Sequence, residues 1–63
     1  MDLLTIEQLA SELDIPVSTL RYYRASRKGP KSFKVGNRLR YRRTDVEAWL
    51  EEQYQAAETV TAK

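Results

Sequence analysis

The chain predicts a mainly α fold with one small β-hairpin, in the order helix, helix, hairpin, helix (α-α-β-β-α). Three observations carry that prediction. Two stretches with apolar residues at helical spacing are separated by Asp14-Ile15-Pro16. A strand-period alternation runs from Phe33 to Arg42 with Gly36-Asn37 at its centre. A third helical stripe starts at Val46.

The first helix is expected from about Thr5 to Leu13. Thr5 followed by Gln8 is a capping box, in which each side chain bonds the other residue's backbone N–H, and Ile6, Leu9, Ala10 and Leu13 form one apolar face behind it. Asp14, Ile15 and Pro16 end the helix, because the residue before a proline is driven out of the α region. Pro16 suits the first turn of a second helix, from which Leu20 and Tyr23 can face inward while Val17, Ser18, Arg21, Tyr22 and Arg24 divide between flanks and solvent. Two short helices joined by about three residues describe a helix-turn-helix.

After Ala25, Lys28-Gly29-Pro30 breaks the helix. Phe33, Val35, Leu39 and Tyr41 then alternate with Lys34, Arg38, Arg40 and Arg42, which predicts a hairpin over residues 32–42 with one apolar and one arginine face. Gly36-Asn37 can fill a two-residue turn needing positive φ. Such a hairpin beside a helix-turn-helix is a wing. Thr44 with Glu47 reads as a second capping box, Asp45 lies where the helix dipole favours an acid, and Val46, Trp49 and Leu50 give an apolar stripe. The third helix is expected to reach about Ala57. The organisation is therefore one domain over residues 1–57 and a polar, flexible tail over 58–63.

Composition narrows the function classes. A domain of 63 residues has a stability margin of only about 3–5 kcal/mol. Cysteine and histidine are both absent, which excludes disulfides, zinc fingers and the usual general base; no metal, cofactor or small-molecule substrate is expected. No apolar run approaches a membrane span, so the expectation is a cytoplasmic protein without signal peptide or anchor. The carboxylates, Glu51 and Glu52 among them, read as solvated helix surface, and the chain as non-enzymatic.

Charge is placed rather than sprinkled. Ten bases and no acid lie between Arg21 and Arg43, and the three blocks 1–20, 21–43 and 44–63 carry −4, +10 and −4. A +10 stretch repels itself unless a polyanion covers it, and double-stranded DNA is the obvious one. The expectation is that folding gathers these bases into one continuous ridge.

Nearly the whole chain then resembles a known family. Leu4-Thr5-Ile6-Glu7-Gln8-Leu9-Ala10, Leu13, Ile15-Pro16-Val17-Ser18-Thr19-Leu20, Gly29-Pro30, Val35-Gly36-Asn37-Arg38, Arg40-Tyr41 and Thr44-Asp45-Val46-Glu47-Ala48-Trp49-Leu50 are similar to the MerR-type winged helix-turn-helix of the phage excisionases, the recombination directionality factors. The resemblance implies that the second helix enters a major groove while the wing reaches the adjacent minor groove or the phosphates. Val17, Ser18, Thr19, Arg21, Tyr22 and Arg24 are then the recognition-helix candidates. Arg21 is the first choice for a guanine edge, while Ser18 and Thr19 suit phosphate. Ser18 as a local helix cap and Tyr22 as a packed ring are the competing readings. On the wing, Asn37 sits at the turn, Arg38 and Arg40 fit minor-groove insertion, and Lys34, Arg42 and Arg43 suit phosphates. Tyr23, Tyr41 and Trp49 read as core, with Trp49 under the sheet and helices.

The family's role implies an architectural DNA-binding protein that binds repeated sites, bends DNA and directs an integrase, its recombinase partner, towards excision in site-specific recombination. Acidic ends flanking a basic middle suggest head-to-tail self-association on DNA. The alternative is a small MerR-like transcriptional regulator. A weaker one is a module gripping an acidic protein or RNA.

Overall fold

The computed structural model describes residues 2–60 of the 63. Strand β1 (Leu3–Leu4) leads into α1 (Ile6–Leu13) and α2 (Val17–Ser26); β2 (Phe33–Val35) and β3 (Arg38–Arg42) form the hairpin; α3 (Arg43–Val60) completes the chain. The arrangement is the mainly helical, winged helix-turn-helix-like one that the pattern predicts, with one strand more than expected.

Helix α1 starts where the side chains dictate. Gln8 N–H donates to Thr5 Oγ1 at 3.0 Å and Thr5 N–H donates to Gln8 Oε1 at 2.9 Å, so both halves of the box close. At the other end Asp14 takes a left-handed conformation (φ 58°), its N–H bonding the Ser11 carbonyl while Ile15 N–H bonds that of Ala10. This pair of bonds is a Schellman ending, and aspartate is one of the few side chains that tolerates it. Pro16, extended at ψ 150°, is the cap of α2 and not its first turn, and its carbonyl accepts from Thr19 and Leu20. The turn between the helices is Asp14-Ile15-Pro16, as expected.

The sheet has the order β1-β3-β2, antiparallel throughout. Gly36 (φ 64°) supplies the positive φ in the two-residue turn, whereas Asn37 does not. The register corrects the expected division into an apolar and an arginine face. Phe33 pairs with Arg40, Lys34 with Leu39, Val35 with Arg38 and Leu3 with Arg42. Directly opposed residues share a face, so Leu3, Phe33 and Val35 lie on the same side as Arg38, Arg40 and Arg42, and Lys34 lies with Leu39, Tyr41 and Leu4. Each strand alternates as expected. The turn, however, sets β2 and β3 in opposite phase, so neither face is purely one kind. Only the side with Leu4 and Tyr41 meets the helices; Val35 is 50% exposed and Phe33 half-buried, contrary to their expected core positions.

The core is Leu4, Ile6, Leu9, Ala10, Leu20, Tyr41 and Val46, with Leu13, Ile15, Val17, Tyr23 and Leu39 packed partly against it. Tyr41, 1% exposed, is the largest side chain in it. Helix α3 follows β3 with no intervening residue, starting two positions ahead of Asp45, where a helix capped by Thr44 would begin. The Thr44–Glu47 box does not form, because Thr44 is already inside the helix; the Arg43 N–H instead donates to the Asp2 carbonyl at 2.9 Å. Val46 is buried and Trp49 half-buried, but Leu50 is exposed. The helix backbone continues three residues past the expected end, to Val60, and the expected tail beyond it lies outside the described residues.

Candidate nucleic-acid interface

Helix α2 is pinned by Leu20, which is fully buried, and by Val17 and Tyr23, which are partly so. These three inward positions leave Ser18, Arg21, Tyr22 and Ala25 exposed. Positions 18, 21, 22 and 25 are spaced three and four apart, so they form one continuous outer stripe. Val17 therefore spends its side chain on the core, and Thr19 is half-buried. Ser18 does not cap the helix, since no side chain caps α2; its hydroxyl is open to solvent. Tyr22 is not a packed core ring either. It is 59% exposed, tilted against Tyr23 with ring centroids 6.2 Å apart, and Lys28 Nζ sits 5.9 Å from its centroid. A cation over one ring face holds the phenol without hiding it.

Arg24 points to the flank, one turn beyond Leu20. Its Nε–H donates to Ser32 Oγ at 3.1 Å, tying the end of α2 to the segment that leads into the wing. Trp49 closes the same corner from α3, its ring 6.2 Å from that of Tyr23 and its Nε1–H donating to the Lys28 carbonyl at 2.8 Å. Gly29 suits this close approach, because a Cβ on it would stand 2.9 Å from Tyr23 Cβ and something would have to shift.

On the wing, Asn37 at the tip, Arg38 and Arg42 are exposed. Arg40 is half-buried and its guanidinium folds back to donate to the Leu39 carbonyl at 2.8 Å. These arginines share their face with Leu3, Phe33 and Val35, which line a shallow groove together with Arg42, Arg43, Thr44 and one acid, Asp2. The outer wing is thus an apolar strip edged by guanidinium groups.

The expected single ridge does not form. Lys34 lies on the opposite sheet face from Arg38, Arg40 and Arg42. Arg43 is engaged within the chain: its two terminal nitrogens donate to the two carboxylate oxygens of Glu12, each at 3.0 Å. That bidentate pair lowers the Glu12 pKa and raises that of Arg43, in both cases mainly through the hydrogen bonds themselves. An arginine so occupied is a poorer phosphate anchor than its place in the basic block suggests. Burial pushes the Tyr41 phenol up, opposed by the nearby Arg24 charge.

Three cations of the block lie outside the expected site but beside it: Lys28 over Tyr22, and Arg27 and Lys31 in a cleft with Arg24. Their membership of an acid-free stretch was the only available signal. Glu12 as the partner of Arg43 is a contact across 31 positions, which no local pattern carries.

A family model described as a helix-turn-helix domain matches residues 3–54, which spans α1, α2, the wing and most of α3. Neither a curated protein nor a solved structure matches the chain at a significant level. Among the described residues, no helix is long and apolar enough to cross a membrane.

Proposed function

The chain belongs to the helix-turn-helix domain family, which supports binding to double-stranded DNA, and from that premise we propose that it is an architectural DNA-binding protein of the phage excisionase kind. One observation carries the DNA reading furthest. The exposed stripe of α2 offers Ser18, Arg21 and Tyr22 with no acid among them, and at the wing tip the side chains of Asn37 and Arg38 are exposed and make no hydrogen bond or ion pair within the described residues. Arg21 reads a guanine edge in the major groove, Ser18 holds a phosphate, and Tyr22 lies along the backbone. The wing adds a strip of Phe33 and Val35 beside Arg38, the mixture of apolar contact and guanidinium that suits a minor groove.

A single domain of this size covers too little DNA to be strongly selective, so the function requires repeated sites occupied side by side, with the DNA bent between them. Acidic α3 of one copy against the cationic outer wing of the next provides the neighbour contact. The bent array then directs the partner integrase towards excision. The protein has no catalytic part in the reaction and acts in the cytoplasm of the bacterial host.

A transcriptional regulator is the second reading. It is favoured by the outer turns of α3, where Leu50 and Tyr54 (62% exposed) lie one turn apart and both face solvent, as on a dimerising helix. Recombination with the integrase and both attachment-site pairs, with and without this protein, separates the two. Stimulation of excision alone establishes the first reading; promoter occupancy with no effect on either direction establishes the second.

A further inference from the structure

Helix α2 ends in a way that its sequence makes awkward. Arg27 adopts φ 59°, ψ 35°, its N–H bonds the Arg24 carbonyl at 3.3 Å, and Lys28 N–H bonds that of Tyr23 at 2.9 Å. This is a second Schellman ending, but the residue in the left-handed position is an arginine, which has neither glycine's freedom nor the short polar side chain that helps aspartate there. Strain of this sort persists where the side chain is needed in that place.

The place is a cleft of about 280 Å³ between the end of α2 and the segment leading to the wing. Tyr23, Gly29 and Pro30 wall it; Arg24, Arg27, Lys31 and Ser32 supply its polar groups, and none of the lining residues is acidic. The Arg24 Nε bond to Ser32 Oγ orients the guanidinium and leaves both of its terminal nitrogens to donate. Because Ser32 accepts that bond, its own O–H proton is also available. Among the described residues the only ion pair is Arg43 with Glu12, so none of the three cations of the cleft is paired with a carboxylate. The helix end itself is slightly negative, but the carbonyls of Tyr22, Tyr23 and Arg24 already accept hydrogen bonds, and three full charges outweigh what remains.

The geometry points to a seat for one DNA-backbone phosphate, formed by Arg24, Arg27, Lys31 and Ser32. The inference rests on the DNA reading above. Helix α2 is about 15 Å long, so with its first turns at base edges its last turn emerges at the strand that borders the groove. A carboxylate on a second copy offers the same charge, but α2 is the element that approaches DNA, which favours the phosphate.

The test uses the full chain and a duplex holding a single site. Arg27→Gly removes the cation and relaxes the backbone, so its Tm should stay level or rise while affinity falls about tenfold, the loss of one charge-assisted hydrogen bond. Adding Lys31→Gln should flatten the plot of log K against log salt by about 0.9, one phosphate. Wild-type affinity and slope in both variants would overturn the seat while leaving the DNA reading intact. Absence of duplex binding by the wild-type protein at low salt would overturn that reading itself. Loss of self-association in sedimentation, with DNA slope unchanged, would assign the cleft to an acidic protein surface and overturn the phosphate.

Discussion

Gly29→Ala isolates the corner that joins α2, the wing segment and α3. The added methyl would stand 2.9 Å from Tyr23 Cβ, where carbon atoms settle at about 3.5 Å or more, so one side must retreat by about 0.6 Å. Tyr23 Cβ cannot swing away, since it is bonded directly to the α2 backbone and its ring packs against Trp49. The other side is no freer. Retreat of Gly29 pulls on Lys28, whose carbonyl receives the Trp49 Nε1–H at 2.8 Å. Overpacking of this type costs about 1–3 kcal/mol. Set against a margin of about 3–5 kcal/mol, that is a large share of the whole, and it lowers Tm by at least about 4 °C. Thermal melts followed by far-UV circular dichroism, with tryptophan fluorescence reporting the Trp49 contact, measure both effects. A Gly29→Ala protein that melts with the wild type and keeps its emission spectrum would show that the corner is loose and that the clash is absorbed elsewhere.

Thr5→Ala should remove one half of the α1 capping box and destabilise the domain by about 1 kcal/mol, read from denaturant titration with unchanged slope. The Tyr41 phenol is raised in the folded state, so its contribution is complete below the ordinary phenol pKa of about 10 and is lost as pH rises through the higher folded value; Tyr41→Phe should flatten that alkaline loss. Glu12 behaves in the opposite sense. Its lowered pKa gives a contribution present above the ordinary carboxylate range and lost as pH falls through the depressed value, and Glu12→Gln should remove that acid limb. The same substitution releases Arg43 and deletes a negative charge, so duplex binding should tighten and its salt dependence steepen; weaker binding would show that the pair holds the interface in shape.

Local chemistry made much of this fold legible. Thr5 and Gln8 announce α1 because both bonds of the box lie within four residues, and Gly36-Asn37 announces the hairpin because its backbone requirement is met on the spot. What escaped is relational. Strand β1 has two residues, too few to show a period, and exists only because β3 offers an edge to Leu3 and Leu4. The alternation within β2 and within β3 is visible, but their relative phase depends on the turn, so Phe33 and Val35 read as core and are found outside it. Thr44 looked like a cap because the direct passage from strand to helix is invisible in composition, and the Asp2 carbonyl that receives the Arg43 N–H lies far upstream. At the candidate interface, the exposed stripe of α2 follows from helical spacing once Leu20 is placed inside. The fate of each cation does not, because Arg43, Arg40 and Arg24 are each turned by a hydrogen-bond partner and not by charge alone.

The unbroken passage from Arg42 to Arg43 has a mechanical meaning. With no slack residue at the junction, a tilt of the hairpin on gripping a duplex passes straight into the first turns of α3, which Val46 and Trp49 tie to the core and to the end of α2. The 18 residues of that helix run some 27 Å from the junction. Wing and third helix thus share one continuous stretch of backbone, so the direction of the helix is tied to the seating of the hairpin.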